Sequence, residues 1–179
     1  MIELHLAIEQ YEAIARWAAA SYPAECCGIL VGRRQFEAPT AAAQGAAEVC
    51  REVVQVVATE NAWESSLSNY TDVEGDSGRE HSLGDRYYID PADLLRVQKS
   101  ARDRGLEIIG IYHSHPNHPA VPSECDRALA WPVYSYVIVS VVQGQVVDLK
   151  SWQLDDQHQF QSEPVKMIGS SANNAPFLS

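Results

Sequence analysis

Apolar residues recur at helical spacing over the segment 8–21, which predicts an amphipathic helix that ends before Pro23. A strand-like segment, IELHL, precedes this helix. The segment 26–32, CCGILVG, is apolar throughout, as expected for a strand that is buried on both faces of a sheet. The apolar face of the helix is formed by Ile8, Tyr11, Ala15 and Ala18.

Strands and helices continue to interleave along the rest of the chain. Pro91 begins a second helix that Gly105 ends, and Ser123 begins a short third helix that Pro132 ends. Because there is no regular βαβ repeat, the pattern predicts an α/β fold with a mixed β-sheet flanked by helices. The further strands are predicted at 49–59, from Leu106 into a histidine-rich turn, at 134–142, at 145–154 and near Phe160.

The length of 179 residues predicts one domain, which we place at residues 1–165. Within it, the segment 60–85 contains seven acidic side chains and one basic side chain, and few apolar residues. A segment of this composition buries too little apolar surface to order itself, so we expect a mobile acidic insert. Residues 166–179 are expected to form a flexible C-terminal tail.

The overall charge limits the range of partners. The chain has 13 basic and 24 acidic side chains, and its formal net charge is −11. This charge repels phosphate backbones and acidic membranes, so nucleic acid and membranes are not expected as partners. No apolar run approaches the roughly 20 residues that span a bilayer, and the first residues lack a basic signal-peptide pattern. We therefore expect a cytoplasmic protein whose four cysteines are reduced thiols.

The segment 113–126, HSHPNHPAVPSECD, contains the chemically informative residues. Side chains alternate faces along a strand, so His113 and His115 point the same way and can bind one ion. Asp126 follows after ten intervening residues and a turn that can bring a helix-borne carboxylate back toward the histidines. Two histidines and one carboxylate form a usual catalytic zinc set, in which a fourth position stays open.

A reading without metal explains the same residues. Two histidines at i and i+2 can be ordinary polar residues at a strand end, and Ser123 and Asp126 have the spacing of a helix capping box. The residues alone therefore leave Asp126 open as a ligand, and they favour a surface role for Glu25. His118 is another possible ligand, although a position at the rim of the site suits it better.

Two motifs together resemble the JAMM/MPN+ zinc metalloprotease family, in particular its small bacterial members. The first is His113-Ser-His-Pro, in which the second histidine is followed after seven residues by Ser123 and after two more by Asp126. The second, about ninety residues upstream, is Pro23-Ala24-Glu25-Cys26-Cys27-Gly28, which matches the Pro-x-Glu-x-x-Gly context of that family. The resemblance implies the JAMM/MPN fold, which is similar to that of cytidine deaminases.

The resemblance also implies a role for each site residue. His113, His115 and Asp126 would bind Zn²⁺, Glu25 would act as general base and then general acid, and Ser123 would hydrogen-bond the oxyanion of the tetrahedral intermediate. Zinc can activate water near neutral pH, and a positioned carboxylate can accept its proton.

The implied reaction is the hydrolysis of an amide or isopeptide bond at the C-terminus of a ubiquitin-like protein. The leading hypothesis is a zinc metallopeptidase that acts on a ubiquitin-like sulfur-carrier protein, whose extended tail adds as a strand to a sheet edge near the metal. Two alternatives remain: a peptidoglycan-type peptide hydrolase, and a non-catalytic MPN scaffold that binds partners.

Overall fold

The structure is a computed structural model that describes residues 2–38, 45–63 and 83–169. Eight strands and three longer helices are found in these ranges. The strands are β1 (Glu3–Ala7), β2 (Cys27–Glu37), β3 (Ala47–Thr59), β4 (Glu107–Pro116), β5 (Ser135–Val142), β6 (Gln145–Leu154), β7 (Phe160–Glu163) and β8 (Val165–Ile168). The helices are α1 (Ile8–Ser21), α2 (Pro91–Arg102) and α3 (Glu124–Leu129).

The strands form one mixed sheet in the order β7-β6-β5-β4-β2-β3-β1-β8. β4 pairs antiparallel with β2 and parallel with β5, so both of its edges are covered. β1 is parallel to both β3 and β8, while the β2–β3, β5–β6 and β6–β7 pairs are antiparallel. The predicted mixed sheet with flanking helices is therefore confirmed.

Each face of the sheet is covered by a different helix. Ile14 and Ala18 of α1 pack on one face in a cluster with Leu30 and Val137. Val97 and Ala101 of α2 pack on the other face in a second cluster. Because both faces are buried, the central strands are apolar along their length, as the continuous run at 26–32 predicts. No helix in the described residues is long and apolar enough to cross a membrane.

The helix boundaries follow from local chemistry. The Asp90 side chain accepts a hydrogen bond from Ala92 N at 2.7 Å, and Pro91 occupies the first turn, where no backbone donor is required. Past the end of α2, Gly105 adopts a φ of +67°, a left-handed conformation that glycine tolerates. The chain then turns directly into β4, which contains the two histidines.

Some boundaries differ from those predicted. β2 continues past Gly32 to Glu37, because residues 33–37 pair with β3 although most of their side chains are exposed. Residues 166–168, predicted as tail, instead belong to β8, which pairs with β1. Backbone pairing holds this strand, and its four residues are too few to show an apolar pattern in the sequence. Residues 64–82 of the predicted insert and 170–179 of the predicted tail lie outside the described residues.

Gly28 provides a test of the close contact between β2 and β4. It pairs with Tyr112, and a Cβ at this position would overlap the buried Tyr112 ring. We predict that Gly28→Ala lowers the free energy of unfolding by about 1–3 kcal/mol through overpacking. Urea denaturation measures this effect. Gly45→Ala is the control, because no atom lies within 4 Å of the position that the added Cβ would take. Equal losses of unfolding free energy in the two variants would contradict the packing account.

Candidate metal centre

The two histidines of the HSHP motif lie at the C-terminal end of β4, and both are buried. His113 pairs with Cys27 of β2 and with Ile138 of β5, so its backbone is held from both sides. Strand alternation directs the two imidazoles to the same face, and their Nε2 atoms lie 3.0 Å apart. The spacing therefore predicts their convergence correctly.

The third polar residue of the cluster comes from the first turn of α3. The chain turns after β4 at Asn117, whose φ of 57° is left-handed, and returns through Pro119 to the N-cap residue Ser123. This path brings Asp126 Oδ1 to 3.2 Å from His113 Nε2 and Asp126 Oδ2 to 3.5 Å from His115 Nε2. The carboxylate is buried as well.

These distances fit a divalent ion. Donor atoms about 2.0–2.1 Å from a tetrahedral ion lie about 3.3 Å from one another. The Nε2 atoms of the two histidines lie 3.0 Å apart, and His113 Nε2 lies 3.2 Å from Asp126 Oδ1, both close to that value. His115 Nε2 lies 3.5 Å from the other carboxylate oxygen, Asp126 Oδ2. Two imidazole nitrogens and one carboxylate oxygen are also a donor set that zinc accepts, with one position left open. The His113, His115 and Asp126 cluster can therefore hold a metal.

The electrostatics of the cluster favour the protonation states that bind metal. Burial lowers the pKa of His113, so its imidazole stays neutral. Burial opposes ionisation of Asp126, but the neighbouring His113 and His115 outweigh it and hold the pKa of Asp126 well below its usual value. Metal ligation requires neutral imidazole and ionised carboxylate, and the pKa shifts of His113 and Asp126 are in these directions.

A backbone carbonyl orients His115. Its Nδ1 lies 3.0 Å from Pro119 O, which can only accept a hydrogen bond. The proton is therefore on Nδ1, and the lone pair of Nε2 is directed to the cluster. The loop that contains Pro119 is anchored in turn, because Trp152 Nε1 donates to Ala120 O and Ser140 Oγ donates to His118 O.

Glu25 lies just before β2, is buried, and lines the same cavity as His115, Ser123 and Asp126. Burial raises its pKa well above the usual value, and the Asp126 and Asp85 carboxylates raise it further. Three elements fix its backbone. Glu25 N donates to Leu83 O at 2.6 Å, and Glu25 O accepts from Asn61 Nδ2 at 3.1 Å. The next residue is bound to β4, because Cys26 N donates to Ser114 Oγ at 2.8 Å.

The cavity has a volume of about 490 Å³, within the usual range for small-ligand sites. One wall comes from residues 84–87, which belong to or directly follow the end of the predicted acidic insert. His118 is exposed at the rim, and the half-exposed Val121 and Leu129 form apolar borders.

Ser123 uses its hydroxyl in the capping box. Its Oγ accepts from Asp126 N at 3.1 Å and donates to Asp126 Oδ2 at 2.7 Å. Ser123 N also donates to Asp126 Oδ2 at 2.6 Å. The capping box and the convergence of Asp126 on the histidines therefore coexist, and the cap helps to position the carboxylate.

Three residues that support the cluster are not predicted from the sequence. Ser114 is the easiest to rationalise, because strand alternation places a residue between two converging histidines on the opposite face. Asn61 lies two residues past the end of β3, where a polar residue in a connecting segment gives only a weak signal. Tyr87, which stacks on His113, lies in a segment without periodicity.

Cys26 and Cys27 are not favoured as nucleophiles. Cys26 and Cys27 are buried, and burial raises the pKa of their thiols to about 12 and about 11. Thiols with such high pKa values are poor nucleophiles at neutral pH. The neighbouring cysteines therefore act as core residues.

Known proteins with similar sequences show the family to which the chain belongs. Residues 8–155 match the Prok-JAB model, prokaryotic homologs of the JAB domain. The chain is 30% identical to the desampylase of Haloferax volcanii over 124 residues, which cover 69% of this chain and 67% of that protein. It is 45% identical over 53 residues to a probable TtuB-protein conjugate cleaving protease of Thermus thermophilus, covering 29% of this chain and 35% of that protein.

The fold is also found in solved structures. The solution structure of a protein from Desulfitobacterium hafniense matches 95% of this chain and 94% of its own, with a TM-score of 0.67 and 27% identity. The family model covers most of the strands and helices, including β4 and α3. The resemblance to the JAMM/MPN+ family is therefore confirmed, and the chain belongs to the Prok-JAB family, with the mixed-sheet JAMM/MPN fold.

Proposed function

We propose that this protein is a zinc-dependent metallopeptidase of the JAMM type that hydrolyses an amide bond at the C-terminus of a ubiquitin-like sulfur-carrier protein. The observation that carries the proposal is the convergence of His113, His115 and Asp126 within hydrogen-bonding distance, next to a cavity that Glu25 lines. These three residues hold the metal. When bound, zinc supplies Lewis acidity that favours loss of a proton from water and polarises an amide carbonyl.

Glu25 is the proton carrier in this proposal. Burial shifts the pKa of Glu25 upward, toward neutral pH. A group whose pKa lies near the working pH can both accept a proton and return it. Glu25 therefore takes the proton from the attacking water and delivers it to the departing amine. The hydrogen bonds from Glu25 N to Leu83 O and from Asn61 to Glu25 O keep its backbone fixed at the cavity wall during both transfers.

The hydroxyl of Ser123 donates a hydrogen bond to the oxyanion of the tetrahedral intermediate. Its single hydroxyl proton is directed to Asp126 Oδ2, so it must turn from that oxygen toward the substrate. Removing one oxyanion donor typically costs about 10²–10³ in rate, which makes Ser123 less important than a metal ligand.

The proposed substrate follows from the relatives and from the shape of the site. Two relatives are named for the cleavage of protein conjugates, as desampylase and as a TtuB-conjugate protease. The cavity is open at a rim formed by His118, Val121 and Leu129, which can contact an extended tail. The tail does not add to β4 itself, because β2 and β5 cover both edges of that strand and the edges of the described sheet are β7 and β8.

The direct test is incubation of the zinc-loaded protein with sulfur-carrier proteins that bear C-terminal extensions, with products identified by mass spectrometry. We expect cleavage of the amide bond that joins the carrier to the extension, so that the carrier ends at its own last residue. Cleavage of peptidoglycan peptides instead would support the cell-wall alternative. Folded, zinc-loaded protein that cleaves neither substrate would support the scaffold alternative and contradict the proposal.

Glu25→Gln tests the proton carrier. The amide cannot accept a proton, so we predict that kcat falls by about 10²–10⁴ while zinc stoichiometry is unchanged. Mass-spectrometric rates and metal analysis measure the two quantities. The same substitution at Glu37, an exposed residue of β2, is the control and should retain activity. A Glu25→Gln variant with wild-type kcat would exclude Glu25 as general base.

The same variant predicts a pH-dependent change in the stability of the metal-free protein. Because the folded-state pKa of Glu25 is raised, folding favours its protonated form. That contribution is fully present below the unfolded-state pKa and is lost as pH rises through the raised folded-state pKa. We therefore expect Glu25→Gln to be more stable than wild type at neutral pH, with a difference that shrinks toward pH of about 4. Urea denaturation in chelator measures it, and a pH-independent difference would contradict the burial account.

A further inference from the structure

The two histidines of the cluster are held in different ways. His115 Nδ1 lies 3.0 Å from Pro119 O, the usual arrangement in which a metal-binding histidine donates its second N–H to a carbonyl. His113 Nδ1 is buried and has no hydrogen-bond partner among the described residues. On the Nδ1 side, no hydrogen bond among the described residues holds the His113 ring in place.

The His113 ring contacts the ring of Tyr87. The ring centroids of Tyr87 and His113 lie 4.3 Å apart, and the ring planes are inclined by 21°, which is a stacked geometry. His113 is fully buried, and its Nε2 lies 3.0 Å from His115 Nε2 and 3.2 Å from Asp126 Oδ1. The stack fixes the plane of the imidazole, so a rotation that tilted the ring and moved Nε2 out of this plane would break the contact with Tyr87.

Asn61 fixes the backbone on both sides of Tyr87. Its Nδ2 donates to Arg86 O at 2.8 Å, and its Oδ1 accepts from Tyr88 N at 3.1 Å. The same Nδ2 donates to Glu25 O at 3.1 Å. The carboxamide of Asn61 therefore connects the segment that contains Tyr87 to Glu25, two residues before the start of β2.

We propose that Tyr87, held by Asn61, is the positioning residue that orients His113 for the metal. The stack replaces the hydrogen bond that His115 makes and His113 lacks. Because Asn61 also binds Glu25 O, it couples the position of a metal ligand to that of the proposed proton carrier. The inference rests on metal binding by His113, His115 and Asp126, which is part of the proposed function.

Zinc affinity, measured by competition with a chromogenic chelator, tests this role without any substrate. Loss of a residue that orients a ligand typically weakens metal binding by about 10- to 100-fold, and we expect a loss in this range for Tyr87→Leu. Tyr87→Phe keeps the ring and should rescue wild-type affinity. Tyr134→Leu is the matched control, because Tyr134 is also partly buried against the same apolar cluster, and it should leave affinity unchanged.

The visible spectrum of the Co²⁺-loaded protein reports ligand geometry, which general destabilisation does not alter. We expect the spectrum to change in Tyr87→Leu and to stay unchanged in Tyr87→Phe and Tyr134→Leu. Wild-type affinity and spectrum in Tyr87→Leu would overturn the inference, as would equal losses in Tyr87→Leu and Tyr134→Leu. If wild type itself bound no metal, the proposed function would fail as well.

Asn61→Asp keeps the inference testable if Tyr87→Leu does not fold. The carboxylate can still accept from Tyr88 N but cannot donate to Arg86 O or Glu25 O. We expect Asn61→Asp to bind zinc more weakly than wild type. Where both single variants fold, the Tyr87→Leu/Asn61→Asp double variant should lose less binding free energy than the sum of the two single losses. Unchanged zinc affinity in Asn61→Asp, or additive losses in the double variant, would contradict the proposal that Asn61 and Tyr87 act together on the orientation of His113.

Discussion

The structure depends on bringing two imidazoles and a carboxylate together where water is largely excluded. Burial of His113 and Asp126 is costly unless each polar atom finds a partner. The polar contacts of 3.0–3.5 Å among His113, His115 and Asp126 compensate for part of that cost, and so do the hydrogen bonds between Ser123 and Asp126. A divalent cation at this point would satisfy the same three donors at once, so the requirement for folding and the requirement for metal binding coincide.

The rest of the fold holds these donors in place. β4 lies between β2 and β5, and apolar clusters cover both faces of the sheet, so the backbone of His113 and His115 is fixed. Asp126 and Glu25 come from flanking segments that polar contacts tie to this strand. His115 Nδ1 contacts Pro119 O in the loop that leads to α3, and Ser114 Oγ accepts from Cys26 N, next to Glu25. Strand β4 thus provides the two histidines, α3 provides Asp126, and the adjoining loops provide the remaining wall of the cavity.

The elements with strong local signals could be predicted from the sequence. Strand alternation predicts that His113 and His115 converge, and the run at 26–32 predicts a central strand, because both follow from periodicity. The position of Asp126 required the family resemblance, since its capping-box spacing fits a structural role equally well. Tyr87, Asn61 and strand β8 could not be predicted, because a ring stack, a side chain bridging two distant segments and a short edge strand depend on long-range contacts without a local pattern.

The central claim is that His113, His115 and Asp126 bind one metal ion beside Glu25. A crystal structure of the zinc-loaded protein, with anomalous scattering collected at the zinc edge, tests it most directly. The account predicts one anomalous peak about 2.0–2.2 Å from His113 Nε2, His115 Nε2 and an Asp126 oxygen, with the Glu25 carboxylate directed toward its open side. A peak bound by other residues, or zinc-soaked crystals with no peak at this cluster, would contradict the account.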